Sequence, residues 1–387
     1  FAVGTGFLLT VGFANLLSPH DFGVYKYILA TAGLITAFTL NGIGPATQRA
    51  LALGYSNVVR PIVNYATYWS VPSIIVALAI AIYYFWMGNG QLGFSMLVVA
   101  AFQPFYALLV TKSLFSSTGE FRLATYFGVI RSILPAVILL AILLLTKNVL
   151  LIIFTYFASQ TLINLITYHV SLHYIQPKKS NEYLPETKRY SWHMTTLGVF
   201  SIAAQYADQF IMWHFLGPVA LATYSIAQGP TKELRTFAEN FTSIAFPKIA
   251  QRGPTESIKS GVVTRRGLQL FLVTLCMAAV YILIAPILFK IFFPVYMDAV
   301  WYSQLIVLGL LFSPRGFADS FLFAHSGIKD RYIIMIPNTI ARIILFAVLI
   351  PLFGITGAVA AMLISELFYT CTVFALYFWF KRNHMAV

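Results

Sequence analysis

The chain has 387 residues, of which 59% are hydrophobic and only 10% charged, where soluble globular proteins carry about 25% charge. Its mean hydropathy is +0.80. This composition excludes a soluble domain, which would lack the polar residues to cover its surface, and it excludes disorder. With two cysteines it excludes a disulfide scaffold as well.

A helix needs about 20 apolar residues to cross a bilayer. In chain order the apolar stretches are 1–17, 22–48, 61–86, 93–116, 122–146, 148–175, 190–216, 219–247, 263–293, 299–326, 331–353 and 356–380. They predict twelve transmembrane helices. The first begins at residue 1, so the chain is expected to start inside a helix, with a short N-terminal piece missing. Runs such as 134–145 do not alternate, which argues against a transmembrane β-barrel. Cys276 and Cys371 each sit in an apolar run and read as small buried hydrophobes.

The net charge of +13 is explained by topology, not by a nucleic-acid partner. With the N-terminus in the cytoplasm, seventeen basic residues fall in cytoplasmic connections and ends, Arg49, Arg60, Lys112, Arg122, Lys178, Lys179, Lys188 and Arg189 among them. Only Lys147 and Lys290 fall outside, and six lie within helices. This bias fixes the orientation, with both termini cytoplasmic. The outer connections are a few residues long. The longest connection, 176–189, is cytoplasmic and separates six helices from six. The domains are therefore 1–175, a linker 176–189, 190–380 and a cytoplasmic tail 381–387.

The halves repeat. At a shift of 199 residues, Leu17, Pro19, Tyr25, Phe38, Asn41, Ala46 and Gly54 meet Leu216, Pro218, Tyr224, Phe237, Asn240, Ala245 and Gly253. At a slightly larger offset Phe115 and Gly119 meet Phe323 and Gly327. An even number of helices per half makes this a parallel repeat. The fold class is thus all-α integral membrane, with twelve transmembrane helices in two parallel six-helix lobes around a central cleft.

The segment Leu16-Leu-Ser-Pro-His-Asp-Phe-Gly-Val-Tyr25, with Asn41-Gly-Ile-Gly-Pro-Ala-Thr-Gln-Arg49, resembles the start of polysaccharide-repeat flippases of the O-antigen (Wzx) type. So does Ala207-Asp-Gln-Phe-Ile-Met-Trp-His-Phe-Leu-Gly-Pro218 leading to Ala222-Thr-Tyr224. That family lies within the multidrug/oligosaccharidyl-lipid/polysaccharide exporter superfamily. The resemblance implies a V-shaped, two-lobed carrier of the cytoplasmic (inner) membrane. It would flip an undecaprenyl-pyrophosphate-linked oligosaccharide, with glycan polymerase machinery as a further partner. The family often has Asp-Arg where this chain has Asp208-Gln209, so any role of that arginine does not carry over.

Ionisable groups at membrane depth cost about 2.5–3.5 kcal/mol each and normally face a bundle interior or a wet cavity. The basic ones are Lys26, Arg131, Lys232, Arg235, Arg315 and Arg342, the candidate substrate-binding set. Lys232, Arg235 and Glu239 share a face by their i, i+3, i+7 spacing, just after Gly229-Pro230, which is expected to kink the helix. Two cations one turn apart suit a pyrophosphate. The candidate ion-coupling acids are Asp208, Glu233, Glu239 and Asp319; Glu366 is also embedded. For Arg315, Asp319 and Glu366 the alternative is a permanent ion pair, and for Asp208 a permanent partner in Lys232 or Arg235.

His169 and His173 stand at i, i+4 but beside tyrosines at a helix end, where they read as interfacial residues. No nucleotide loop, catalytic triad or metal cluster is evident, so neither an enzyme nor a cofactor is expected; proton or sodium coupling remains open. The alternatives are a multidrug or organic-cation antiporter of the same superfamily, and a membrane glycosyltransferase or polysaccharide polymerase. The short outer loops argue against the last.

The topology is tested by labelling. In a chain whose Cys276 and Cys371 are replaced by Ser, Ser180→Cys is expected to resist an impermeant thiol reagent in intact cells and to react in inverted vesicles. Labelling from outside would overturn the assignment.

Overall fold

The computed structural model describes residues 2–174, 184–251, 262–325 and 328–385. The linker residues 176–183 and the basic residues Lys178, Lys179, Arg252 and Lys259 lie outside them. Among the described residues the chain is helical throughout, and its apolar helices make it a multi-pass membrane protein. The spans are α1 (Ala2–Leu16), α2 (Pro19–Phe38 continuing as Ile43–Ala52), α3 (Ser56–Trp86), α4 (Gly90–Ser117), α5 (Phe121–Leu145) and α6 (Val149–Tyr174). Then come α7 (184–216), α8 (218–251), α9 (Val262–Phe292), α10 (Ala299–Phe312 continuing as Arg315–His325), α11 (328–353) and α12 (355–385).

The divisions of the two long helical stretches follow from glycine. Leu184–Gln251 has 68 residues, about 100 Å of helix against about 30 Å of hydrocarbon. It must fold back, and does so at Gly217, whose φ of 80° and ψ of −174° lie in a region open essentially to glycine alone. Gly354 (φ 61°, ψ −138°) divides Ile328–Met385 in the same way.

These breaks repeat. Ser18, extended ahead of Pro19, ends α1, and 199 residues on Gly217 ends α7 ahead of Pro218. Thr146 ends α5 in an extended conformation, and 208 residues on, the offset that pairs Phe115 with Phe323, Gly354 ends α11. The fourth span of each half loosens into 3₁₀ turns, over Gln103–Val110 and Val307–Phe312. The halves also differ: α2 bends by 60° after Phe38, while the matching stretch of α8 stays helical. Helical dihedrals likewise run through Gly229-Pro230, where the Thr231 hydroxyl donates to the Gln228 carbonyl at 2.9 Å.

The chain forms two compact units, 1–206 and 207–387. In the first, Leu40, Ile43, Val59, Ile62 and Leu114 form a core of α2, α3 and α4. In the second, Phe317, Phe321, Tyr377 and Val373 join α10 to α12. Outward faces are as apolar as the cores: Leu283, Ile287 and Ile291, spaced by four, are 76%, 61% and 64% exposed, as a lipid-facing stripe requires. Cys276 and Cys371 are exposed as well, contrary to the buried reading, because in a bilayer a thiol can face lipid as readily as the core.

The α7 segment up to Tyr206 belongs with the first unit because glycines bring it against α2. A Cβ on Gly42 would strike the Ser191 carbonyl, one on Gly198 the Asn41 side chain, and one on Gly33 the Tyr206 ring. The Gly42 N–H donates to Thr195 Oγ1 at 3.0 Å. Farther along, Arg49 pairs with Glu186 at 3.4 Å, both half-exposed, and Trp192 Nε1 donates to Tyr65 Oη at 3.2 Å.

Gly217→Ala is expected to lower stability by about 1–3 kcal/mol through backbone strain. Gly128→Ala, in open space on α5, is expected to be neutral or stabilising. Thermal denaturation in one detergent compares them.

Candidate functional site

In the first unit the 3₁₀ turns of α4, begun at Gln103-Pro104, end at Thr111 and Lys112. They face Arg131 from the middle of α5. Arg131 Nη2 donates to Thr111 Oγ1 at 2.8 Å, and Thr111 donates on to Asn164 Oδ1 of α6 at 3.4 Å. Lys112 and Arg131 lie within electrostatic range of each other. Among the described residues neither has a carboxylate within ion-pair distance, and Arg131 Nε is buried with no acceptor. Lys112 is exposed and Arg131 part-buried, so two like charges lie in range of each other with no carboxylate on either among the described residues, an arrangement that a bound anion would relieve.

The second unit does the opposite. Glu366 of α12, 4% exposed, takes Arg235 Nη2 of α8 on one oxygen at 2.7 Å and Arg315 of α10 on the other. Arg235 also reaches Glu239 at 3.2 Å through Nε, and that carboxylate is 62% exposed. Arg315 donates to the Glu366 carbonyl (3.4 Å) and to Thr370 Oγ1 (3.2 Å) and stacks on Tyr369 at 4.6 Å. Tyr369 donates to Asp319 at 3.2 Å. Arg235 and Arg315 are therefore matched by Glu239 of α8 and Glu366 of α12, and Asp319 of α10 joins through Tyr369. Lys232 is exposed one turn from Arg235 and beside Glu233.

Asp208, 3% exposed, accepts from the Tyr224 hydroxyl at 3.0 Å, Gln228 Nε2 at 3.4 Å and the Gln209 N–H at 2.8 Å. The cation in range is Arg342, not Lys232 or Arg235; its guanidinium lies over Phe346 at 5.4 Å. Lys26 lies over the Phe22 ring at 5.2 Å. His169 and His173 each turn Nδ1 onto the carbonyl one turn back, at 3.0 and 2.9 Å.

Of the residues singled out from sequence, the structure joins Arg235, Arg315, Glu239, Asp319 and Glu366 into one network and leaves Asp208 hydrogen-bonded to Tyr224, Gln228 and Gln209 with Arg342 in electrostatic range. Arg131 stands in the first unit with Lys112, which sequence reasoning had left in a cytoplasmic connection. The available signal was a Thr-Lys pair inside an apolar stretch that starts with Gln-Pro. Glu366→Leu strands two guanidinium groups and is expected to destabilise by about 3–5 kcal/mol. Glu239→Gln breaks only an exposed i, i+4 pair and is expected to cost less than about 1 kcal/mol. Chemical denaturation of matched detergent samples measures both.

Comparisons with known proteins agree on the fold. The chain is similar to the solved structure of the lipid II flippase MurJ in an inward closed conformation, with a TM-score of 0.73 and 13% identity over 100% of this chain and 89% of that one. An inward-facing multidrug resistance MATE family transporter of the MOP superfamily gives 0.63 at 13% identity, covering 99% and 94%. A MOP superfamily transporter from Pyrococcus furiosus gives 0.60 at 15%, covering 99% and 92%. No curated protein matches the sequence. The family model described as "Polysaccharide biosynthesis protein" matches residues 2–253, more than half of the chain, and with the twelve-span fold beneath that match the chain belongs to the polysaccharide biosynthesis protein family.

Proposed function

We propose that this protein is a flippase, not an enzyme, that carries an undecaprenyl-pyrophosphate-linked oligosaccharide of the O-antigen type across the cytoplasmic membrane by alternating access. Both termini lie in the cytoplasm. The observation that carries the reading is the uncompensated pair Lys112–Arg131. A diphosphate brings two or more negative charges, and an arginine fork binds phosphate oxygens bidentately. Thr111 and Asn164 hold the guanidinium for that contact. The same pair argues against an organic-cation substrate, which a cationic site would repel.

Arg235 and Arg315 serve the second unit first as partners of Glu366, and Lys232 is the cation of that region left open to ligand. Asp208 is the coupling candidate: it is a buried carboxylate held by neutral donors, with one cation in range. A proton or sodium ion would act there. The glycan polymerase machinery would receive the flipped product.

Arg131→Ala is expected to reduce surface-glycan export at least about tenfold in a flippase-deficient strain, with expression matched by immunoblot. Arg131→Lys is expected to restore only part of it, because a point charge replaces the fork. Full export by the Lys112→Ala/Arg131→Ala double variant would overturn the assignment.

A further inference from the structure

The contact between α2, α3 and α7 holds a groove of about 400 Å³. Phe38, Trp69 and Pro72 form one wall, and Trp192, Val199 and Phe200 form the other. It is apolar along most of its length, and Phe38 and Trp192 are exposed. Trp69 and Trp192 meet edge to face at 4.9 Å. Trp192 donates to the Tyr65 hydroxyl at 3.2 Å. One turn before Trp192, Lys188 places its ammonium over the Tyr65 ring at 4.6 Å.

Lys188 differs from its neighbour Arg49. Arg49 has Glu186 at 3.4 Å and stacks on Tyr190 at 4.7 Å. Among the described residues no carboxylate lies within ion-pair distance of Lys188. From Lys188 the contacts run through the Tyr65 ring to Trp192, which lines the groove, and then along its apolar walls. That order matches the headgroup, interface and chain of a phospholipid. By the distribution of basic residues, this end of α7 faces the cytoplasm, where anionic lipids concentrate.

We propose that this groove is a binding site for one anionic phospholipid of the cytoplasmic leaflet, with its phosphate on Lys188 and an acyl chain along Trp192, Trp69 and Phe200. Charge selects the occupant. The single negative charge of a phosphatidylglycerol headgroup matches one ammonium that rests on a ring and, among the described residues, on no carboxylate. A zwitterionic headgroup would bring its own ammonium beside Lys188. A polyprenyl diphosphate would find one cation here, against two at Lys112 and Arg131. The two walls of the groove are also the two sides of the Gly42–Thr195 contact. A lipid that spans both walls binds this closed arrangement and stabilises it by linkage. The inference is independent of the substrate that the protein carries.

Native mass spectrometry of the purified full-length chain, titrated separately with phosphatidylglycerol and phosphatidylethanolamine, tests it. One phosphatidylglycerol is expected to be retained, about fivefold more tightly than phosphatidylethanolamine, as one lysine–anion contact at a membrane surface implies. Lys188→Gln is expected to erase that preference while leaving the melting temperature in lipid-free detergent unchanged. Val199→Trp, which fills the groove, is expected to lower retention of both lipids. Equal retention of the two lipids by the wild type, or a preference that survives Lys188→Gln, would overturn the proposal. So would displacement of phosphatidylglycerol by undecaprenyl phosphate, which would make the groove a seat for the carried lipid's tail.

Discussion

A charge placed in hydrocarbon must be matched, wetted or moved to the surface, and this constraint sorts the two units. In the second, Glu366 sits between Arg235 and Arg315, and the pairing extends through Glu239, Tyr369 and Asp319. Three helices are tied by groups that none of them can expose cheaply. Breaking such a buried pair costs about 3–5 kcal/mol, several times the worth of an exposed one. In the first unit, among the described residues, no carboxylate lies within ion-pair distance of Lys112 or Arg131. A matched network holds helices together; an unmatched pair of cations does not.

The sequence makes the span count and the repeat legible because both rest on local signals. Hydropathy marks each crossing, and Pro19 and Pro218 mark the same turn in each half, where the chain does break. The family likewise follows from contiguous motifs. Pairings across the fold are not legible in this way. Glu366 lies 131 residues from Arg235, and no periodicity links them. Lys232 and Arg235 share a helix face, which suggested one paired site. The structure instead turns Arg235 toward α12 and leaves Lys232 exposed. Lys112 reads from sequence only as a marker of a span end, and the fold adds what spacing cannot, its place after the 3₁₀ turns of Gln103–Val110 within electrostatic range of Arg131.

The α2–α7 contact has a composition suited to reversal. Its closeness comes from Gly33, Gly42 and Gly198, which bring backbone and side chains together without adding a side chain of their own. Among the described residues its directed bond is the Gly42 amide to Thr195, worth about 0.5–1.5 kcal/mol net, with the Trp192 indole to Tyr65 of α3 beside it. Its ion pair, Arg49–Glu186, is half-exposed and belongs to the class worth about 0–1 kcal/mol. The sum is a few kcal/mol, within reach of ligand binding energy or of a lipid lodged across the seam. The Glu366 network, with a carboxylate 4% exposed between two arginines, lies beyond that reach. The weaker contact is built from glycine and surface bonds, and the stronger one from buried charge.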